Sequence, residues 1–157
     1  MAGFFGRYER SLDAKGRLIL PPRLRESFRP TAYLTAYLDG CLALWTAEEF
    51  ERQWAEMEAS QHRGTRERIV ARLWASGIDE IQLDSQSRFP IASHLREYAG
   101  LEAESEVFIV GAMNRLEIWN PDEWQRRITP AYSELTDPSA GETGVSTTTS
   151  TTSPEDA

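Results

Sequence analysis

The chain of 157 residues has one cysteine, one lysine, two histidines and no long apolar run, and each scarcity removes a class of function. Cys41 standing alone excludes an intrachain disulfide and fits a reducing compartment. His62 and His94 have no partner at zinc-ligand spacing, and no glycine-rich loop is present to cradle a phosphate. The acid pairs Glu48/Glu49 and Asp122/Glu123 open helices, where carboxylates complement the helix dipole. Neither catalysis, a metal nor any other cofactor is therefore expected: the chain reads as no enzyme. No stretch approaches the roughly 20 apolar residues of a membrane span, and Met1 to Arg7 lacks the apolar core of a secretory signal. A cytoplasmic protein with no membrane partner is expected.

Positive charge is scarce overall and concentrated where it occurs. The net charge of −8 argues at first against a nucleic-acid partner. Residues 1–30 nevertheless carry +4 and residues 63–74 carry +3, while residues 31–62 carry −5 and residues 75–157 carry −10. A chain with this asymmetry presents a preferred face to an anion.

What the chain has in place of a varied inventory is repetition. Asp13-Ala14-Lys15-Gly16-Arg17-Leu18-Ile19-Leu20 returns 71 residues on as Asp84-Ser85-Gln86-Ser87-Arg88-Phe89-Pro90-Ile91, and Leu24-Arg25-Glu26 returns as Leu95-Arg96-Glu97. Leu42-Ala43-Leu44-Trp45 returns 74 residues on as Leu116-Glu117-Ile118-Trp119. Two phrases recurring in the same order indicate a duplicated unit related by a pseudo-twofold axis. Each copy spans about 45 residues, near the lower limit for an independent core, so the halves are expected to share one.

Along each copy the pattern reads as strand, turn, strand, short helix, strand, turn, strand. Arg7–Leu12 leads into Asp13-Ala14-Lys15-Gly16, where Gly16 can take positive φ, and Arg17–Leu20 reads as the return strand. Thr46 and Asn120 each cap a following helix. The first launched helix aligns Phe50, Trp54 and Met57, and a second, Arg66–Ser76, is expected to bury Ile69, Val70, Leu73 and Trp74. The five tryptophans read as packing residues. The mainly β, α+β chain thus divides into a first unit (7–52), a helical connector (53–79), a second unit (81–125) and a tail (136–157) too poor in apolar residues to fold.

The Asp-x-x-Gly-Arg turn followed by Leu-Ile-Leu-Pro-Pro, its doubled copy and the two Trp-bearing strands that open capped helices resemble the MraZ family of bacterial transcriptional regulators, built from two SpoVT-AbrB domains. The resemblance covers about residues 4–127. It implies a swapped-hairpin β-barrel whose two halves play the parts of two AbrB chains, and assembly into a ring homo-oligomer. It further implies a nucleoid-associated repressor that binds double-stranded DNA at direct repeats in the promoter of its own operon, in the division and cell-wall gene cluster. The family signature falls on Asp13 with Arg17 and on Asp84 with Arg88. In the second copy Ser87 replaces glycine and Pro90 removes a backbone donor, which weakens that turn as a DNA reader.

Arg17 is the first candidate for contact with DNA, since a guanidinium beyond a tight turn suits phosphate oxygens or a guanine edge. An Asp13–Arg17 ion pair that merely closes the turn is the plainer alternative. Lys15 at the turn tip, then Arg7, Arg10, Arg23 and Arg25, with Arg29 beside them, are the remaining candidates, and Asp13, Gly16 and Asp84 are turn-formers. Arg88 inherits its slot by symmetry but stands in a copy whose local charges cancel, so a smaller part is expected of it. The run Arg63, Arg66, Arg68, Arg72 reads as a solvated helix face or a contact to the acidic second copy of a neighbouring chain. An AbrB-like antitoxin or scaffold working through protein contacts is the rival reading.

Overall fold

In the computed structural model, which describes residues 3–137 and residue 139, the duplicated sequence folds into duplicated structure. The first unit supplies β1 (Arg7–Ser11), β2 (Arg17–Ile19), β3 (Ala32–Ala36) and β4 (Leu42–Thr46), with 3-10 turns at Pro22–Leu24, Glu26–Phe28 and Leu38–Gly40. Helices α1 (Ala47–Ser60) and α2 (Thr65–Gly77) follow. The second unit supplies β5 (Asp79–Ile81), β6 (Arg88–Pro90), α3 (Ser93–Ala99), β7 (Glu106–Gly111) and β8 (Leu116–Trp119), and α4 (Pro121–Arg127) and α5 (Tyr132–Thr136) are the last helices among the described residues. Thr136, expected to begin the tail, is the last residue of α5. Apart from Asp137 and Ser139, the rest of the expected tail lies outside the described residues.

Strand exchange between the halves organises everything. Six strands form one sheet in the order β1-β7-β8-β4-β3-β5, and β2 pairs with β6 in a separate two-stranded ribbon. The order is a palindrome: β1 of the first unit lies on β7 of the second, β5 of the second lies on β3 of the first, and β4 meets β8 at the centre. Expected as outgoing and return strand of one hairpin, β1 and β2 do not pair with each other. The Asp13 turn is instead a corner that sends the chain from the sheet into the ribbon. Nor does the sheet close into the expected barrel. The three-residue strands β2 and β6 leave the sheet and satisfy each other, so among the described residues no strand bridges the edges β1 and β5, and β1 guards its edge with Arg7, Glu9 and Arg10 exposed.

The shared core lies between sheet and ribbon. Leu18 and Phe89 from the ribbon, Phe28, Leu34 and Leu44 from the first half, and Leu95, Ile109 and Ile118 from the second are each at most 1% exposed. Both halves fill one cluster, as two 45-residue units too small for separate cores must.

Both anticipated helix caps form. Thr46 Oγ1 accepts from the Glu49 amide at 3.2 Å, and Asn120 Oδ1 accepts from the Asp122 and Glu123 amides at 2.8 and 3.2 Å. Gly100 closes α3 with φ 67°. The helix pair α1 and α2 is held to β3 by an aromatic stack in which Tyr33 lies 3.9 Å from Phe50, and Phe50 and Trp54 lie 5.9 and 6.1 Å from Trp74. Beyond that stack the expected burial fails. Ile69, Val70 and Leu73 are exposed, and Trp54 is 46% exposed, because a two-helix layer seats only one stripe on the sheet. Trp45 and Trp119 are buried as expected of packing residues.

Candidate nucleic-acid interface

Alternation along the ribbon sorts its side chains. Leu18 and Phe89 point into the core at 0% exposure, while Arg17, Ile19, Arg88 and Pro90 face outward. In register Arg17 stands opposite Pro90 and Ile19 opposite Arg88, so the outer face is a quadrilateral with guanidinium groups on one diagonal and apolar side chains on the other. Diagonal positions of a ribbon lie roughly 7–8 Å apart. The period-two run Arg17-Leu18-Ile19 carried the signal for this face, yet only the pairing with β6 shows which residues complete it.

Each turn is built in the same way. Gly16 has φ 73° and Ser87 φ 62°. Asp13 Oδ1 accepts from the Lys15 and Arg17 amides, both at 2.9 Å, and Asp13 Oδ2 accepts from Arg17 Nε at 2.6 Å. Asp84 repeats this with Gln86 N at 2.8 Å, Arg88 N at 2.9 Å and Arg88 Nε at 3.0 Å. The plainer ion-pair geometry is therefore present in both copies. It uses only Nε, and within the described residues neither guanidinium makes a hydrogen bond through its two terminal nitrogens. The carboxylate fixes the fork's direction and leaves its donors free for an anion.

The departures in the second copy cost less than the sequence suggests. Ser87 takes the left-handed conformation disfavoured for serine, but its hydroxyl accepts from Arg29 at 3.0 Å. Pro90 removes no ladder bond. Ile91 N donates to Gly16 O at 3.0 Å and Leu20 N to Ser87 O at 3.2 Å, so alternation places Arg17–Pro90 and Ile19–Arg88 at the non-hydrogen-bonded positions. Proline in place of an amide that faces away from the partner strand is tolerated.

The exchange also redistributes charge. Arg96 of the second copy packs its guanidinium against Gly16, within 3.0 Å of where a side chain would begin. Arg29 of the first copy reaches the turn of the second at Ser87, and Arg25 Nε holds Leu20 O at 2.8 Å, next to that turn. One ribbon end thus gathers Lys15, Arg17 and Arg96, and the other gathers Arg88, Arg25 and Arg29. Arg88 keeps its pairing with Asp84, but Arg25 and Arg29 join it in space, so the cancellation read along the sequence no longer accounts for all the charges around it.

The remaining candidates are placed differently. Arg7 lies over the Phe108 ring at 4.6 Å and 3.7 Å from Glu9, on the sheet edge. Arg10 donates to Glu9 O at 2.8 Å. Arg23 hydrogen-bonds the Tyr8 hydroxyl and lies 4.6 Å over Phe5. These three belong to the β1 edge and not to the ribbon's outer face. Cys41 is buried, which pushes its thiol pKa up and makes it a poor nucleophile. Among the described residues no cluster of His, Cys, Asp and Glu could hold a metal, and no helix is long and apolar enough to cross a membrane.

Asp13 is held below the ordinary value of 3.8, first by the hydrogen bond from the Arg17 amide, and Asp84 below 3.8, first by that from Arg88. A depressed folded-state pKa gives a contribution that is complete above 3.8 and lost as pH falls through the lower folded value. Thermal stability is thus expected to be insensitive to these two groups at neutral pH and to decline below about pH 3.8, and the Asp13→Asn, Asp84→Asn double variant should show a shallower decline across that window in pH-dependent melts.

Comparison with known proteins follows the same doubling. Residues 4–72 and residues 75–143 each match the family described as "MraZ protein, putative antitoxin-like". A protein of Heliobacterium modesticaldum is 38% identical over 135 residues, covering 84% of this chain and 93% of its own. One of Acetivibrio thermocellus is 37% identical over 78% of this chain and 84% of its own, and one of Deinococcus radiodurans 35% identical over 85% and 93%. Each of the three is named transcriptional regulator MraZ. Two tandem matches that together span most of the chain, on a fold whose halves exchange strands, establish that the chain belongs to the MraZ family.

Proposed function

We propose that the protein is a DNA-binding transcriptional regulator that grips duplex DNA with the outer face of the β2–β6 ribbon. The observation that carries this is the diagonal pair Arg17 and Arg88, each aimed by its aspartate and each with terminal donors unspent among the described residues. A two-stranded ribbon fits the major groove, where a guanidinium fork can address guanine O6 and N7 or flanking phosphates. Lys15, Arg25, Arg29 and Arg96 at the two ribbon ends supply the surrounding positive field. The names of the relatives support regulation of transcription.

One ribbon with two guanidinium groups binds DNA weakly, so repetition of the ribbon is part of the proposal. The chain acts as a ring homo-oligomer on direct repeats in its own promoter, in the division and cell-wall gene cluster, as a repressor working in the cytoplasm at the nucleoid. Support for self-assembly comes from a cavity of about 1350 Å³ between the helix pair and α3, whose lining includes Leu38, Met57, Val70, Leu73 and Tyr98. Leu38, Val70 and Leu73 are exposed there, with Arg63 on the rim. A second copy is the fitting occupant, because the arginines of residues 63–72 complement the net −10 of residues 75–157. Fixed spacing between ribbons then raises the effective concentration of each after the first has bound.

The test is binding of the full-length protein to its own upstream DNA and to a shuffled fragment across a salt series. If three ribbons each neutralise about two phosphates, affinity for both falls on the order of a thousandfold between about 50 and 200 mM salt, and the preference for the upstream fragment persists. The antitoxin-like wording of the family description favours a second reading, action through protein contacts at the same apolar cavity. That reading expects no affinity for either fragment at low salt.

A further inference from the structure

Resting on the DNA-binding reading, we infer that Ile19, with Pro90 at its pseudo-twofold position, reads thymine methyl groups beside the bases that the two arginines meet. Both copies place an apolar residue at the same outward corner of the ribbon although the residue types differ. Ile19 is 46% exposed, directly opposite Arg88 and two residues from Arg17 on the same strand. Opposed residues at a non-hydrogen-bonded position lie about 4.5 Å apart at Cα, close to the roughly 3.4 Å rise of a base pair. A side chain beside Arg88 therefore meets the same or the neighbouring base pair. An aliphatic group at that place can add neither a hydrogen bond nor charge. In the major groove it gains only where it covers apolar surface, and the apolar surface there is the C5-methyl of thymine. The face consequently reads more than phosphate: each guanidinium is accompanied across the ribbon by a methyl reader, so guanine flanked by thymine forms part of the target.

The inference is tested by replacing thymine with deoxyuridine, which removes only the methyl group, in the upstream fragment bound by the full-length oligomer. Wild-type protein is expected to lose about fourfold in affinity for each methyl contact removed, the scale of burying one such carbon, and Ile19→Ala to bind the thymine fragment less tightly by at least that factor. Ile19→Ala should then be indifferent to deoxyuridine at the position its side chain had covered, whereas Ile19→Val keeps part of the discrimination. Equal affinity of wild-type protein for the two fragments overturns the inference, as does undiminished sensitivity in Ile19→Ala. Arg17→Ala separates the two levels. Methyl-insensitive binding that still depends on Arg17 removes the methyl reader alone, while absence of binding by wild-type protein to either fragment removes the DNA-binding reading and this inference together.

Discussion

Arg17→Ala and Arg88→Ala are each expected to cut affinity for the upstream DNA by comparable factors, and the double variant to abolish preference for it. A guanidinium that meets a base edge or phosphate contributes about 1–3 kcal/mol, roughly tenfold to a hundredfold per ribbon, and the loss compounds over every ribbon engaged. The fold should survive. Removing either guanidinium leaves in place the backbone amides that Asp13 and Asp84 hold, so each turn keeps its own closure. Unchanged melting temperatures and oligomer size would show that the loss is one of recognition. Comparable losses follow from strand exchange, which brings Arg25 and Arg29 to the turn that holds Arg88. Binding by Arg88→Ala at the wild-type level, with Arg17→Ala defective, would mean that local sequence charge governs the interface and the three-dimensional grouping does not. Lysine at either position keeps the charge but loses the planar fork, so Arg17→Lys should retain salt-dependent affinity and lose discrimination between fragments.

The second large effect concerns the fragment of residues 1–64, which is expected to have no folded monomer. Cutting at Gly64 leaves β1 without β7, β4 without β8 and β2 without β6, so that the β3–β4 hairpin is the only intact ladder of the first unit. The buried cluster loses Phe89, Leu95, Ile109, Leu116 and Ile118. An isolated hairpin on half a core is at best marginal in water. At high concentration two copies of the fragment can take each other's missing roles, since the palindromic strand order becomes β1-β3-β4-β4-β3-β1 across a dimer. Circular dichroism should accordingly show β-structure that rises with concentration, in step with a dimer by sedimentation. A folded, concentration-independent monomer would refute the shared core.

Local structure was largely legible where local chemistry decides it. Gly16 at positive φ, Thr46 and Asn120 as caps, Gly100 closing α3 and the Trp45 and Trp119 strands all form where their residue types demand. Burial of Ile69, Val70 and Leu73 was misread because helical periodicity marks an apolar stripe without saying what covers it, and no part of the described protomer does. Ser87 and Pro90 were misread for a related reason. Their tolerance depends on Arg29, 58 residues from Ser87 in the chain, and on which face of Pro90 meets β2.

The amino-acid sequence alone determined that the protein is a duplication, that each half is too small to stand by itself, and that each copy sets an aspartate four residues before an arginine across a tight turn. These follow from composition, spacing and the conformational limits of single residues, all of which act over a few positions. Only the tertiary structure decided that the first strands change partners, that the ribbon is made of one strand from each half, and that arginines of one copy surround the turn of the other. Pairing partners are chosen by burial of apolar surface over the whole chain. The cationic face is a property of the closed pair, and neither half possesses it alone.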